Sequence, residues 1–179
     1  MKHIIKTTFA ATILLLIFTS KIFATGAGIQ IGAVPGIYIN QASADLEKFS
    51  GTIVGTMKLS RVPMVVGAGF EGGKYFSDFD IGLSAFADYW FFDYQLINTW
   101  NLFSGFGASG KLFTSNFKDW NLAAGARFFA GVNCTFWDGY MEVYAQQNIV
   151  PTYIANLKKI NSGSFMLCLP FETGVRLHF

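Results

Sequence analysis

Apolar and polar residues alternate along most of this chain with a period of two. The pattern is clearest near the end. Phe165, Leu167, Leu169, Phe171, Thr173, Val175, Leu177 and Phe179 interleave with Ser164, Met166, Cys168, Pro170, Glu172, Gly174, Arg176 and His178. The first set is almost wholly apolar, while the second carries both charges and the histidine. A helix would mix the two sets, so the segment is predicted to be a strand with one greasy and one polar face.

The alternation recurs upstream. Between Phe79 and Phe91 the outward set Phe79, Ile81, Leu83, Ala85, Ala87, Tyr89 opposes Asp80, Gly82, Ser84, Phe86, Asp88 and Trp90. Between Trp120 and Phe136, Leu122, Ala124, Ala126, Phe128, Ala130, Val132 and Cys134 oppose Asn121, Gly125, Arg127, Gly131 and Asn133. Weaker runs at Ile29–Asn40, Thr52–Ser60, Met64–Gly73, Thr99–Phe113 and Met141–Ile154 bring the total to eight. Their connections alternate between tight turns (Arg61-Val62-Pro63, Trp137-Asp138-Gly139) and longer polar loops (Gln41–Ser50, Lys74–Asp78, Thr114–Asp119, Ala155–Ser162). Phe92–Asn98 is the irregular connection, too long for a turn and placed on the short-turn side. The expectation is an all-β fold, a transmembrane antiparallel up-and-down β-barrel of about eight strands. An even count puts both chain ends and the tight turns in the periplasm and the longer loops outside.

Composition explains what surrounds these strands. The 179 residues are 52% hydrophobic and only 13% charged, with 20 Phe and 19 Gly. Soluble domains carry about 25% charged residues. A soluble β-sandwich with an aromatic core fails on that count. The longest charge-free run past the N-terminus, Tyr94–Gly110, contains Gln95, Asn98 and Asn101, so it is a poor membrane helix. Aromatics gather toward both ends of the strands, with Tyr89, Trp90, Tyr94, Trp100, Trp137, Tyr140 and Phe179 at one end. Tyr75, Phe76, Phe79, Phe113, Phe117 and Trp120 gather at the other, as two headgroup belts require.

Residues 1–24 read as a secretory signal peptide: Lys2 and Lys6, an apolar Phe9–Phe18, then Ile22-Phe23-Ala24, with cleavage after Ala24 or the less favoured Ala27. An uncleaved anchor is the weaker alternative, because the apolar stretch is short for a span. Residues 25–179 form the barrel domain. Removing Lys2, Lys6 and Lys21 from 13 basic residues leaves 10 against 11 acidic ones, so nothing favours a nucleic-acid partner.

The inward phase holds the candidate functional residues. Arg127, Glu142, Glu172, Arg176, Asp80 and Asp88 are expected to form a paired charge cluster in the lumen, acting as a plug or as a selectivity element. Pro35 and Pro170 fall in the two strands that close the barrel, where each removes a backbone donor, so the seam is expected to carry a bulge or a missing bond. Phe86, Phe103, Phe129 and Met166 make the lumen partly apolar. No catalytic constellation, metal site or cofactor motif is present: His178 is the lone histidine past the signal and sits at a strand end, as a solvated residue would. Cys134 and Cys168 fall on opposite phases with a strand between them, too far apart for a disulfide.

The final row Phe171, Val175, Leu177, Phe179 resembles the C-terminal assembly signal of outer-membrane proteins. That resemblance implies transient contact with a barrel-assembly machinery. The chain as a whole is similar to the small barrels of the OmpA transmembrane-domain, OmpX and OmpW type. From OmpW, the likeness implies a small channel passing small apolar solutes by a lateral exit. From OmpA and OmpX it implies a closed barrel with a structural or surface-interaction role. Either would be a monomer in the outer-membrane bilayer, without enzymatic activity.

Overall fold

The computed structural model describes residues 24–38, 48–59, 62–74, 79–157 and 159–179. The signal segment up to residue 23, most of the 41–50 loop, Arg61 and the 75–78 loop with its Tyr75 and Phe76 lie outside the described residues.

Among the described residues nine strand segments form one closed antiparallel sheet. They are β1 (Ala24–Tyr38), β2 (Lys48–Leu59), β3 (Met64–Lys74), β4 (Asp80–Ile97), β5 (Trp100–Thr114), β6 (Asn121–Phe136), β7 (Met141–Asn156), β8 (Lys159–Cys168) and β9 (Phe171–His178). β8 and β9 occupy one position, both pairing with β7 on one side and β1 on the other, so the barrel has eight staves. The break falls at Leu169-Pro170.

The registers fix the barrel's geometry. A path across the sheet runs Gly28, Thr56, Gly67, Phe86, Ser109, Gly125, Thr152, Met166 and arrives back on β1 at Tyr38, a shear of ten residues. With a rise of ~3.3 Å per residue and strands ~4.8 Å apart, that shear tilts eight staves by about 40°. A barrel of this size is just wide enough for its own side chains.

The exposure pattern is inverted relative to a soluble protein. Outward Ile29 is 64% exposed and Phe70 70%, while inward Gln30 is 1% and Asn148 0% exposed. An outer wall of Ile, Phe, Leu and Val around a polar bore fits hydrocarbon outside.

Two expectations need correcting. Phe92–Asn98 is no loop: β4 continues to Ile97 and turns at Asn98, which has a left-handed φ of 48°. The cause is a β-bulge at Phe91, which pushes both Phe91 and Phe92 outward and breaks the alternation. Trp90 and Phe113 are not belt residues. They face inward and are buried, Trp90 stacked on Phe103 with ring centroids 4.2 Å apart. Here the parity of the position outweighs the preference of the ring.

Candidate functional site

Among the described residues the bore holds three charged groups, stacked from the end with the tight turns (the lower end) to the loop end. Each arises because a strand places every second residue inward, and the tilt brings inward residues of non-adjacent strands together.

The middle group is the densest. Arg127 on β6 donates from Nε and Nη2 to the two Asp88 oxygens on β4, at 2.9 and 3.1 Å. Its Nη2 and Nη1 also reach Glu172 on β9, at 2.8 and 3.3 Å. Glu172 accepts further bonds from Asn148 Nδ2 and Gln146 Nε2, both at 2.8 Å. The guanidinium carbon lies 4.4 Å from the centre of the Phe86 ring. One cation thus joins three staves, with its charge met by carboxylates on its edges and an aromatic face beneath.

Below it, Arg176 on β9 donates to Glu142 on β7 at 2.8 Å, and Asn133 donates to the other Glu142 oxygen at 2.8 Å. Arg176 also lies over the Tyr144 ring at 4.7 Å, and Lys58 over Trp90 at 4.5 Å. His178 belongs here rather than in solvent, correcting the sequence expectation: its Nε2 is 2.9 Å from Glu142 Oε2. The register explains this, since Glu142 pairs with Arg176, which sets His178 one inward step further on.

Above, Glu71 on β3 accepts from Ser50 at 2.7 Å and from Lys111 on β5 at 2.9 Å. Sequence reasoning missed this pair. Strict counting by twos would have put both inward, but glycines at 67, 69, 72 and 73 and at 105, 107 and 110 blur the hydrophobic pattern of β3 and β5. Asp80 is buried near this upper group, around a cavity it shares with Glu71 and Lys111.

Of the six charges picked from sequence, the structure therefore joins Arg127, Asp88 and Glu172 in one group and Arg176 with Glu142 in another, with Asp80 apart from both. Phe86, Phe103, Phe129 and Met166 are all inward and buried. The first three belong to an apolar cluster with Trp90 and Tyr144 that packs against the arginines, so they fill the bore. Two cavities inside the bore, one beside Arg127 and Glu172 and one beside Glu71 and Asp80, measure about 30 and 10 Å³.

At the seam, Ala33 pairs with Phe171 and Gly36 with Cys168 in one unbroken register, so there is no bulge. Pro35 and Pro170 each omit one ladder bond instead. Both cysteines are buried free thiols, Cys134 beside Thr99 and Cys168 beside Thr152. The described residues contain no group of three or more His, Cys, Asp or Glu able to hold a metal ion.

No protein-family model matches the chain, and no curated protein matches it in sequence. Among solved structures it is similar to Neisserial surface protein A (NspA), at 15% identity over 86% of this chain and 97% of that one, with a TM-score of 0.57. It also matches Ail, the attachment invasion locus protein of Yersinia pestis, at 12% identity over 86% and 99% of the two chains, with a TM-score of 0.41. The outer membrane protease OmpT from Escherichia coli follows at 10% identity over 88% and 98%, with a TM-score of 0.35. With its closed sheet of eight staves and its likeness to NspA, this chain has the fold of the small eight-stranded outer-membrane β-barrels.

Proposed function

We propose that the protein is a closed barrel of a bacterial outer membrane, serving the envelope as a structural or surface-presenting element rather than as a channel or an enzyme. The observation that carries this reading is the filled bore. Arg127 reaches across it to β4 and β9, aromatic rings occupy the space below, and the cavity beside Arg127 and Glu172, of about 30 Å³, holds about one or two waters. A solute could pass only by breaking buried ion pairs.

Export and assembly fit the same reading. Cleavage after Ala24 leaves Gly26 and Ala27 to pair with His178 and Leu177, whereas cleavage after Ala27 would remove both. The outward row Phe171, Val175, Leu177, Phe179 is the candidate signal for the assembly machinery, and the barrel works as a monomer with its lower end toward the periplasm.

Passage of small apolar solutes is the second reading. It draws on the ladder bonds missing at Pro35 and Pro170, which give a lateral rather than axial route. Planar-bilayer recording on the purified barrel, with uptake of apolar solutes into proteoliposomes, separates the two. A silent bilayer and no uptake are expected. Stepwise conductance would overturn the closed-bore reading, and uptake without conductance would favour the lateral one.

A further inference from the structure

Gln147 breaks the pattern of the outer wall. It lies on the outward phase of β7, exposed, opposite Phe171 on β9 and Ala130 on β6, with the exposed Ile149 next along its own strand. An amide on a hydrocarbon-facing surface needs a reason, and the prolines beside it supply one.

An antiparallel hydrogen-bonded pair exchanges two bonds, one in each direction. Leu169 N donates to Pro35 O at 2.9 Å, but Pro35 has no N–H to return, which strips Leu169 O of its ladder donor. On the other side of the same stave, Asn148 N donates to Pro170 O at 2.8 Å. Pro170 returns nothing, which strips Asn148 O in turn. Two carbonyls on either side of the last stave are thus left without backbone partners, in a wall facing a medium that offers no donor of its own.

Gln147 Nε2 lies 3.2 Å from Asn148 O and 3.2 Å from Leu169 O, with Pro170 O also at 3.2 Å. An amide nitrogen has two hydrogens, and the two carbonyls that lost donors are both within its reach. We propose that Gln147 is the latch of barrel closure: its side-chain amide supplies the two donors that Pro35 and Pro170 remove. At this level the last stave is held to its neighbours on the lipid side by a rotatable side chain in place of the two missing backbone bonds. The inference concerns the wall and stands whether or not the bore conducts.

The test is a double-mutant cycle on the full barrel refolded in lipid vesicles, read as the temperature at which the folded gel band converts to the unfolded one. Leucine is the favoured kind of residue on a lipid face, so a loss on making Gln147→Leu reports lost bonds rather than a poor surface. The substitution should lower the midpoint by several degrees in the natural sequence. It should do so by less than half as much when Pro35→Ala and Pro170→Ala have restored the backbone donors. Equal losses in both backgrounds, or no loss in the first, would overturn the proposal. A second measurement needs no variant: magnetic-resonance couplings through the hydrogen bonds should link the Gln147 side-chain nitrogen to the carbonyl carbons of Asn148 and Leu169. Their absence, where neighbouring ladder couplings are seen, would also overturn it.

Discussion

The wall between β5 and β6 and the wall closed by β1 and the last stave meet the same demand by different means. The β5–β6 ladder runs from Trp100 opposite Cys134 to Phe113 opposite Asn121 with no register shift and no proline. The closing wall contains Pro35 and Pro170, and its last stave is interrupted at Leu169-Pro170. It is tied to the rest of the barrel from inside as well. Glu172 on β9 is gripped by Arg127 on β6, which also grips Asp88 on β4. Where the backbone ladder is incomplete, a charged strut across the bore connects the closing stave to the continuous wall. Buried charge thus has a mechanical use in this barrel.

The largest effect should come from cutting that strut. Arg127→Leu leaves Asp88 and Glu172 buried and close together with no cation, and losing one partner of a buried ion pair costs about 3–5 kcal/mol. Urea unfolding in vesicles, followed by tryptophan fluorescence, should show that loss. Replacing all three together, as Asp88→Asn, Arg127→Met and Glu172→Gln, should recover most of it, because no orphaned charge then remains. If the single and triple variants were equally unstable, the group's hydrogen bonds rather than its charges would be the tie.

A change confined to the continuous wall should weigh less. A Cβ on Gly105 would sit 2.2 Å from Phe129 Cζ and 2.2 Å from Tyr89 O. The ring can shift, but the backbone oxygen can move only with its strand. Gly105→Ala should therefore cost about 1–3 kcal/mol in the same assay, the usual range for overpacking. Gly51→Ala is the control: it faces outward and its nearest neighbour is 3.9 Å away, so it should change little. A loss at Gly105 as large as that at Arg127 would remove the contrast between wall and strut.

How much of this was legible in the sequence depended on how clean the alternation was. Glu172 and Arg176 were placed inward because apolar residues flank them at every second position. Glu71 and Lys111 sit among glycines, which carry no polarity to reveal their phase. The bulge at Phe91 made a strand look like a loop, since one extra residue puts two phenylalanines on the same face. Which carboxylate meets Arg127 was beyond the sequence altogether. Asp88 and Glu172 lie on staves that are not neighbours of β6, and only the shear and tilt bring them to one height. Gln147 is equally opaque in the sequence: the role proposed for it is defined by two bonds that prolines on other strands fail to make.

The smallest effect on stability, and the one that best separates assembly from architecture, should come from Phe179. The residue is 66% exposed, and a backbone bond ties it to the barrel, Phe179 N donating to Thr25 O at 3.1 Å. The ring sits at the very end of the last strand, so Phe179→Ala should still refold into vesicles, with a midpoint lowered less than by any of the losses above. If the row Phe171, Val175, Leu177, Phe179 is read by an assembly machinery, the same variant should nonetheless yield less folded barrel in cells. Phe106→Ala supplies the comparison on the continuous wall, since that ring is also outward and half exposed but lies outside the row. It should leave cellular yield intact. A fall in yield for both variants would mean that outward aromatics act through general contact with lipid, and the closing stave would then have no special claim as a signal.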